Sequence, residues 1–201
     1  MQASELFNQP NTILLDGGMG TMLQAAGMKL GTRPEDLNIE NPELIRSIHA
    51  KYAAAGSRVV NANTFGASPH KLADSKYTLE EVITAGIANC KQAVAPYGAL
   101  VTLDVGPLGE LLEPSGTLAF EDAVAEYGRI VRAGVAAGAD ILYFETFTDL
   151  YEMKAALLAA KENSTLPIMA SMSFEANGRT FTGCTVESFA ATARGLGANA
   201  V

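Results

Sequence analysis

A chain of 201 residues that is 48% hydrophobic and 18% charged can bury a sizeable core, which excludes disordered and collagen-like classes. Its net charge of −8 is spread over scattered residues and lacks the clustered Lys and Arg that hold a phosphate backbone, so nucleic acid is not an expected partner. No basic leader precedes an apolar run and no apolar stretch reaches the roughly 18 residues that span a bilayer, so the expectation is a cytoplasmic chain with no membrane partner.

From the N-terminus the chain alternates short β-rich runs with longer amphipathic segments, without a linker, and reads as one domain over residues 1–201. The first strand is expected at Ile13 to Asp16, followed by the glycine turn Gly17-Gly18-Met19-Gly20. A helix then starts at Asn41 as N-cap with Pro42 in its first turn. It carries Leu44, Ile45, Ile48 and Tyr52 on one stripe and ends at Gly56, which can take the left-handed C-terminal conformation. Strands follow at Val59 to Asn63, Leu100 to Val105, Ile141 to Glu145 and Ile168 to Ser173, with an incipient one at Ala198 to Val201. These continuous apolar runs suit parallel strands covered on both faces. Helical stripes lie between them: Phe120, Val124, Tyr127, Val131 and Val135; then Met153, Leu157 and Leu158 behind Thr148 or Asp149 as cap; then Phe189 and Leu196.

Ala55 to Phe65 repeats as Ala137 to Phe147, 82 residues on, each copy running helix end, turn, strand and Thr-Phe. Asp104 stands midway between Asn63 and Glu145, so a polar residue recurs at each strand's C-terminal end. That recurrence is the geometry of a (β/α)₈ TIM barrel, whose active site gathers where the strands end. The fold class is therefore α/β of this type, truncated after about five and a half βα units, with a third copy of the repeat beginning at Leu196. A doubly wound sheet is the rival, but neither G-x-G-x-x-G nor a P-loop occurs.

The strand-end set is Asp16, Asn63 with Thr64, Asp104, and Glu145 with Thr146. Carboxylates from different strands at one mouth suit an ammonium ligand, a divalent metal or acid–base work. The turn at Gly17 and Gly18 reads either as a tight turn alone or as backbone that approaches a small anionic group such as a carboxylate. Lys51, Lys91, Lys154 and Lys161 fall in helical segments, which disfavours a Schiff base. His49 reads as structural, and His70 as a surface loop residue. Cys90 and Cys184 have no CxxC spacing or histidine partner, and each reads as a buried small apolar residue.

In their order and spacing, Leu15-Asp16-Gly17-Gly18-Met19-Gly20-Thr21, Asn63-Thr64-Phe65-Gly66-Ala67, Asp104-Val105-Gly106-Pro107 and Phe144-Glu145-Thr146-Phe147 resemble the homocysteine S-methyltransferase family. Leu37-Asn38-Ile39 and Gly109-Glu110-Leu111 are similar to the homocysteine-binding domain of cobalamin-dependent methionine synthase. The resemblance covers the whole chain. It implies methyl transfer to the homocysteine sulfur, giving methionine, with zinc holding that sulfur as a thiolate. Asp16 and Glu145 would then hold the ammonium, while the Gly17 and Gly18 backbone and the Thr64 hydroxyl place the rest. Asn63 and Asp104 are weaker members of the set and support the rim.

The zinc cysteines of the family stand in an Asn-Cys pair and a later Gly-Gly-Cys-Cys, and the sequence contains neither. The repeat would put the Asn-Cys at 204 and 205, so no metal ligand and no catalytic residue is expected within the chain, which would be inactive alone. Methylcobalamin, S-methylmethionine and betaine all serve similar barrels as donors, with methylcobalamin, on cobalamin and folate domains of a longer chain, the expected carrier. Open barrel edges predict self-association. A metal-dependent lyase or hydrolase, and a non-catalytic amino-acid-binding fragment, are the alternative functions.

Overall fold

The computed structural model describes residues 3–29 and 31–201. Four parallel strands, β1 (Val59–Asn61), β2 (Leu100–Val105), β3 (Ile141–Phe147) and β4 (Ile168–Met172), lie side by side in chain order. Around them run α1 (Ala3–Leu6), α2 (Met19–Ala25), α3 (Leu37–Glu40), α4 (Pro42–Ala54), α5 (Leu79–Val94), α6 (Phe120–Ala136), α7 (Leu150–Asn163) and α8 (Val186–Gly195). Sequential parallel strands joined by crossover helices are the unit from which the (β/α)₈ barrel is built, and the fold is of that type.

The expected outer strands are present only as single bridges, Leu15 to Val59 at one edge and Ala200 to Met169 at the other. Each has one neighbour, so its ladder reduces to a few bonds, such as Asp16 N–H to the Val59 carbonyl at 3.2 Å. β1 stops at Asn61, two residues short of expectation, because the Asn63 carbonyl turns to accept from the Asn38 side chain at 2.8 Å. β3 runs on to Phe147 through a register irregularity between Phe144 and Phe147.

The caps of α4 stand where the sequence places them. Asn41 caps α4 by accepting from Leu44 N–H at 3.3 Å, and Gly56 closes it with φ of 109°. Asp149, not Thr148, caps α7. The buried face of α4 is Ile45, Ile48, His49 and Ala53, with Leu44 and Tyr52 only partly buried, and Ile45 and Ile48 pack against Leu23 of α2. On α6 the predicted stripe is buried at Tyr127 and Val131, whereas Val135 is exposed. Helices α1, α2 and α3 had no sequence expectation; they have seven residues or fewer, too few to show a period.

Strand alternation divides the apolar residues into two layers. Val60, Val101, Leu103, Leu142, Phe144, Ile168 and Ala170 face the helices and form the main core with Ile83, Ile87, Tyr127, Ile130 and Leu157. On the other, inner face Val59, Ile141 and Met169 form a second cluster with Leu6, and Ile13, Leu15, Leu100 and Phe7 pack onto it. Helix α1 thus closes one end of the barrel interior, and the side chains farther along the same faces are polar: Asn61, Thr102, Tyr143 and Ser171, then Asp104 and Glu145. The interior changes from hydrocarbon to carboxylate along the strand direction.

Candidate active site

The strand ends open into a pocket of about 260 Å³ lined by Asp16, Gly17, Gly18, Met19, Asn61, Ala62, Asn63, Phe65, Asp104 and Glu145. Six of the seven residues singled out from the sequence are in this lining; Thr64 is not. Its hydroxyl, 1% exposed, donates to the Asp104 carbonyl at 2.8 Å and accepts from Asp104 N–H at 3.1 Å. These two bonds tie the segment after β1 to β2 and hold Thr64 against Asp104.

Asp16 follows the edge bridge, where Asn61 N–H donates to its Oδ2 at 3.1 Å while Oδ1 is buried without a partner. Burial pushes this carboxyl up to about 7 against the lowering effect of that hydrogen bond, with Glu145 adding a smaller upward push. Asp104, 6% exposed, also has a buried Oδ1 without a partner. Desolvation raises it well above the ordinary carboxylate range, and Glu145, Asp16 and Glu35 push the same way. Burial also raises Glu145. Among the described residues none of the three makes an ion pair with Lys or Arg. A pocket with three uncompensated carboxyls is poised for a cation.

The backbone that aims Glu145 is unusual. Thr146, the next residue, has φ of 60°, a left-handed conformation that costs a β-branched residue on the order of 1–3 kcal/mol. Ser171 on β4 holds it, accepting from Thr146 N–H at 3.2 Å and lying 3.1 Å from the Tyr143 hydroxyl. Together with the ladder irregularity of β3 this is a bulge, a device that re-aims a side chain at a barrel rim.

The opposite lip is fixed by residues that sequence reading missed. The Asn63 side-chain amide donates to the Pro34 carbonyl at 2.7 Å and to Asn38 Oδ1 at 2.9 Å. Asn38, 2% exposed, returns a bond to the Asn63 carbonyl and receives Asn89 at its own carbonyl. Glu35, buried in the short turn Pro34–Asp36, accepts from Gly66 N–H at 2.7 Å, and burial raises its carboxyl. The Leu37-Asn38-Ile39 motif was the available signal for Asn38, and Glu35 had none. At the glycine turn, a Cβ on Gly17 would stand 3.0 Å from the Tyr52 hydroxyl, which itself donates to the Gly18 carbonyl at 3.2 Å. Tyr52, expected only as a core residue, therefore braces the turn.

The remaining candidates lie elsewhere. His49 is fully buried in α4 with neither ring nitrogen partnered, and His70 is exposed on its loop. Cys90 is buried with its thiol directed to the Val60 carbonyl at 3.8 Å, whereas Cys184, expected to be buried, is half-buried because it stands in the loop before α8. Among the described residues no group of three or more His, Cys, Asp or Glu side chains is arranged to hold a metal ion. Nor, among them, is any helix long and apolar enough to cross a membrane.

Comparison with known proteins agrees with this architecture. Residues 13–201 match the family model described as homocysteine S-methyltransferase. The metallated form of the homocysteine methyltransferase MmuM from Escherichia coli superposes with a TM-score of 0.86 at 24% identity, over 98% of this chain and 75% of that one. Its apo form gives a TM-score of 0.73 at the same 24% identity, over 96% and 71%. The carboxyl transferase domain of Rhizobium etli pyruvate carboxylase, solved with pyruvate, gives 0.50 at 14% identity over 80% and 23%.

Proposed function

The chain belongs to the homocysteine S-methyltransferase family, and from that premise we propose that its pocket binds homocysteine by the α-ammonium group for methyl transfer to the sulfur, giving methionine. The observation that carries this reading is the convergence of Asp16, Asp104 and Glu145 on one pocket with two buried carboxylate oxygens unpartnered and, among the described residues, no Lys or Arg paired with them. An ammonium supplies three donors and one positive charge, which is what those groups lack. Asp16 and Glu145 hold it, with the Gly17 and Gly18 backbone placing the substrate carboxylate and Asn63 fixing the lip. Thr64 acts through Asp104.

The fold family implies zinc at the sulfur, and the residues present do not fit it. Cys90 faces the outer core, Cys184 stands in a different loop, and the described residues offer no cluster of ligands. Within the proposal the thiolate-holding zinc and a methylcobalamin carrier are contributed from outside these 201 residues, so the chain alone binds homocysteine without methylating it, and residues 1–201 act as one substrate-binding domain. A lyase or hydrolase using the three carboxylates as metal ligands has no comparable observation behind it.

Calorimetry of homocysteine binding to the chain tests the reading. Glu145→Gln and Asp16→Asn should each weaken binding by about 10-fold to 100-fold, the effect of removing one charge-assisted partner. Equal affinity in the wild type and both variants would overturn it.

A further inference from the structure

Three carboxyls converge on the pocket, and the proposed substrate brings one ammonium. Asp104 is the most enclosed of the three. It is 6% exposed, its Oδ1 touches no donor, and its backbone N–H and carbonyl are both taken by Thr64. Among the described residues the groups that face it are acidic or neutral: Asp16 from the first edge, Glu145 and Tyr143 from β3, and Glu35 from the turn before α3. The cation on this side, Lys71, acts on Glu35 and donates to the Pro107 carbonyl at 2.6 Å. The Cys90 thiol of α5 lies behind, within the field of Asp16. Asn61 and Thr102 bond to each other at 2.8 Å and bring no charge.

Resting on the ammonium reading, we propose that the empty pocket keeps a proton on Asp104 in place of the missing cation, and that an arriving α-ammonium displaces it to solvent. The three carboxyls cannot all ionise in a space of about 260 Å³ without a counter-charge, so one site must stay neutral until an ammonium enters. The exchange balances: the amino acid enters as an ammonium, the pocket gives one H⁺ to buffer, and no bond to carbon or sulfur changes. Burial and the neighbouring acids, which raise Asp104, act in the required direction. The carboxyl thus works as a gate for charge, and amines without a proton gain nothing from the pocket.

Calorimetry of the whole chain at pH 8, above the value near 7 at which Asp16 gives up its own proton, in two buffers of different ionisation enthalpy, measures the Asp104 proton directly. Homocysteine and methionine are the probes, because methionine has no thiol proton to lose. Both should release roughly one proton per molecule bound. Asp104→Asn should bind both with release falling close to zero. Binding by the wild type with heats independent of buffer overturns this inference and leaves the ammonium reading standing. Release with homocysteine but not methionine assigns the proton to the thiol and overturns it too, as does full release in Asp104→Asn. Absence of binding by either amino acid overturns both readings.

Discussion

At the residue scale, Asp16 shows how the site trades stability for charge. Its carboxyl is raised from 3.8 to about 7, so between those values the folded chain holds a proton that the unfolded chain has released. The contribution to stability is complete below about pH 4 and is lost as pH rises through 7. Asp16→Asn removes that loss, and urea denaturation should find it more stable than wild type by on the order of 4 kcal/mol at pH 8 and little changed at pH 4. The same variant should bind homocysteine weakly. His49 has the opposite sign. Burial lowers its imidazole from 6.5 to about 4, so the unfolded state binds the extra proton and stability falls as pH drops through that window. His49→Leu should flatten the acid limb by about 3 kcal/mol between pH 6.5 and 4, read by the same denaturation. The strand-end identities of Asn63, Asp104 and Glu145 were legible because an even spacing of 41 residues places them, and that of Asp16 because it ends the first apolar run before the glycine turn. The role of Thr64 was not, since a hydroxyl's direction depends on a neighbouring strand that sequence does not show.

At the scale of elements, helix α5 is docked against the site through a glycine. A Cβ on Gly86 would stand 2.8 Å from Asn38 Nδ2 and 2.9 Å from Thr64 Cγ2. Gly86→Ala should cost about 1–3 kcal/mol through overpacking, against the small gain in helix propensity. Because the displaced groups hold Asn63 and Asp104, homocysteine affinity should fall as well. Thermal melts and calorimetry on one preparation separate the two effects. Strands β2 and β4 and helices α4, α6, α7 and α8 were legible from apolar runs and caps. The bulge at Thr146 was invisible because Thr is an ordinary β-former, and only the bond to Ser171 shows why the chain tolerates it. Helix α3 and the turn before it were missed because their contacts are polar and long-range, as with Asn38 to Asn89 and Glu35 to Gly66.

On the scale of the whole molecule, the sheet carries its polar chemistry at one end and its exposed apolar edge residues beside the terminal bridges. Leu14 is 57% exposed and Val201 64%, next to Leu15 and Ala200, each of which bridges a single strand. Unpaired edges with exposed hydrocarbon favour association. Sedimentation velocity should therefore show concentration-dependent self-association of the 201-residue chain, and Leu14→Lys should shift it toward monomer. Identical profiles for the two proteins would refute that edge.

The short helix α1 has a consequence that reaches the other end of the barrel. Leu6 and Phe7 seal the inner cluster of Val59, Ile141 and Met169, below the carboxyls. Hydrocarbon there works as an electrical insulator, because water admitted from underneath would supply the polarisability that the pocket withholds. Replacing Leu6 with Ser would wet the floor, let the acids ionise more readily, and weaken the attraction for a positive charge at the mouth. The affinity of the rim is set partly by grease at the base.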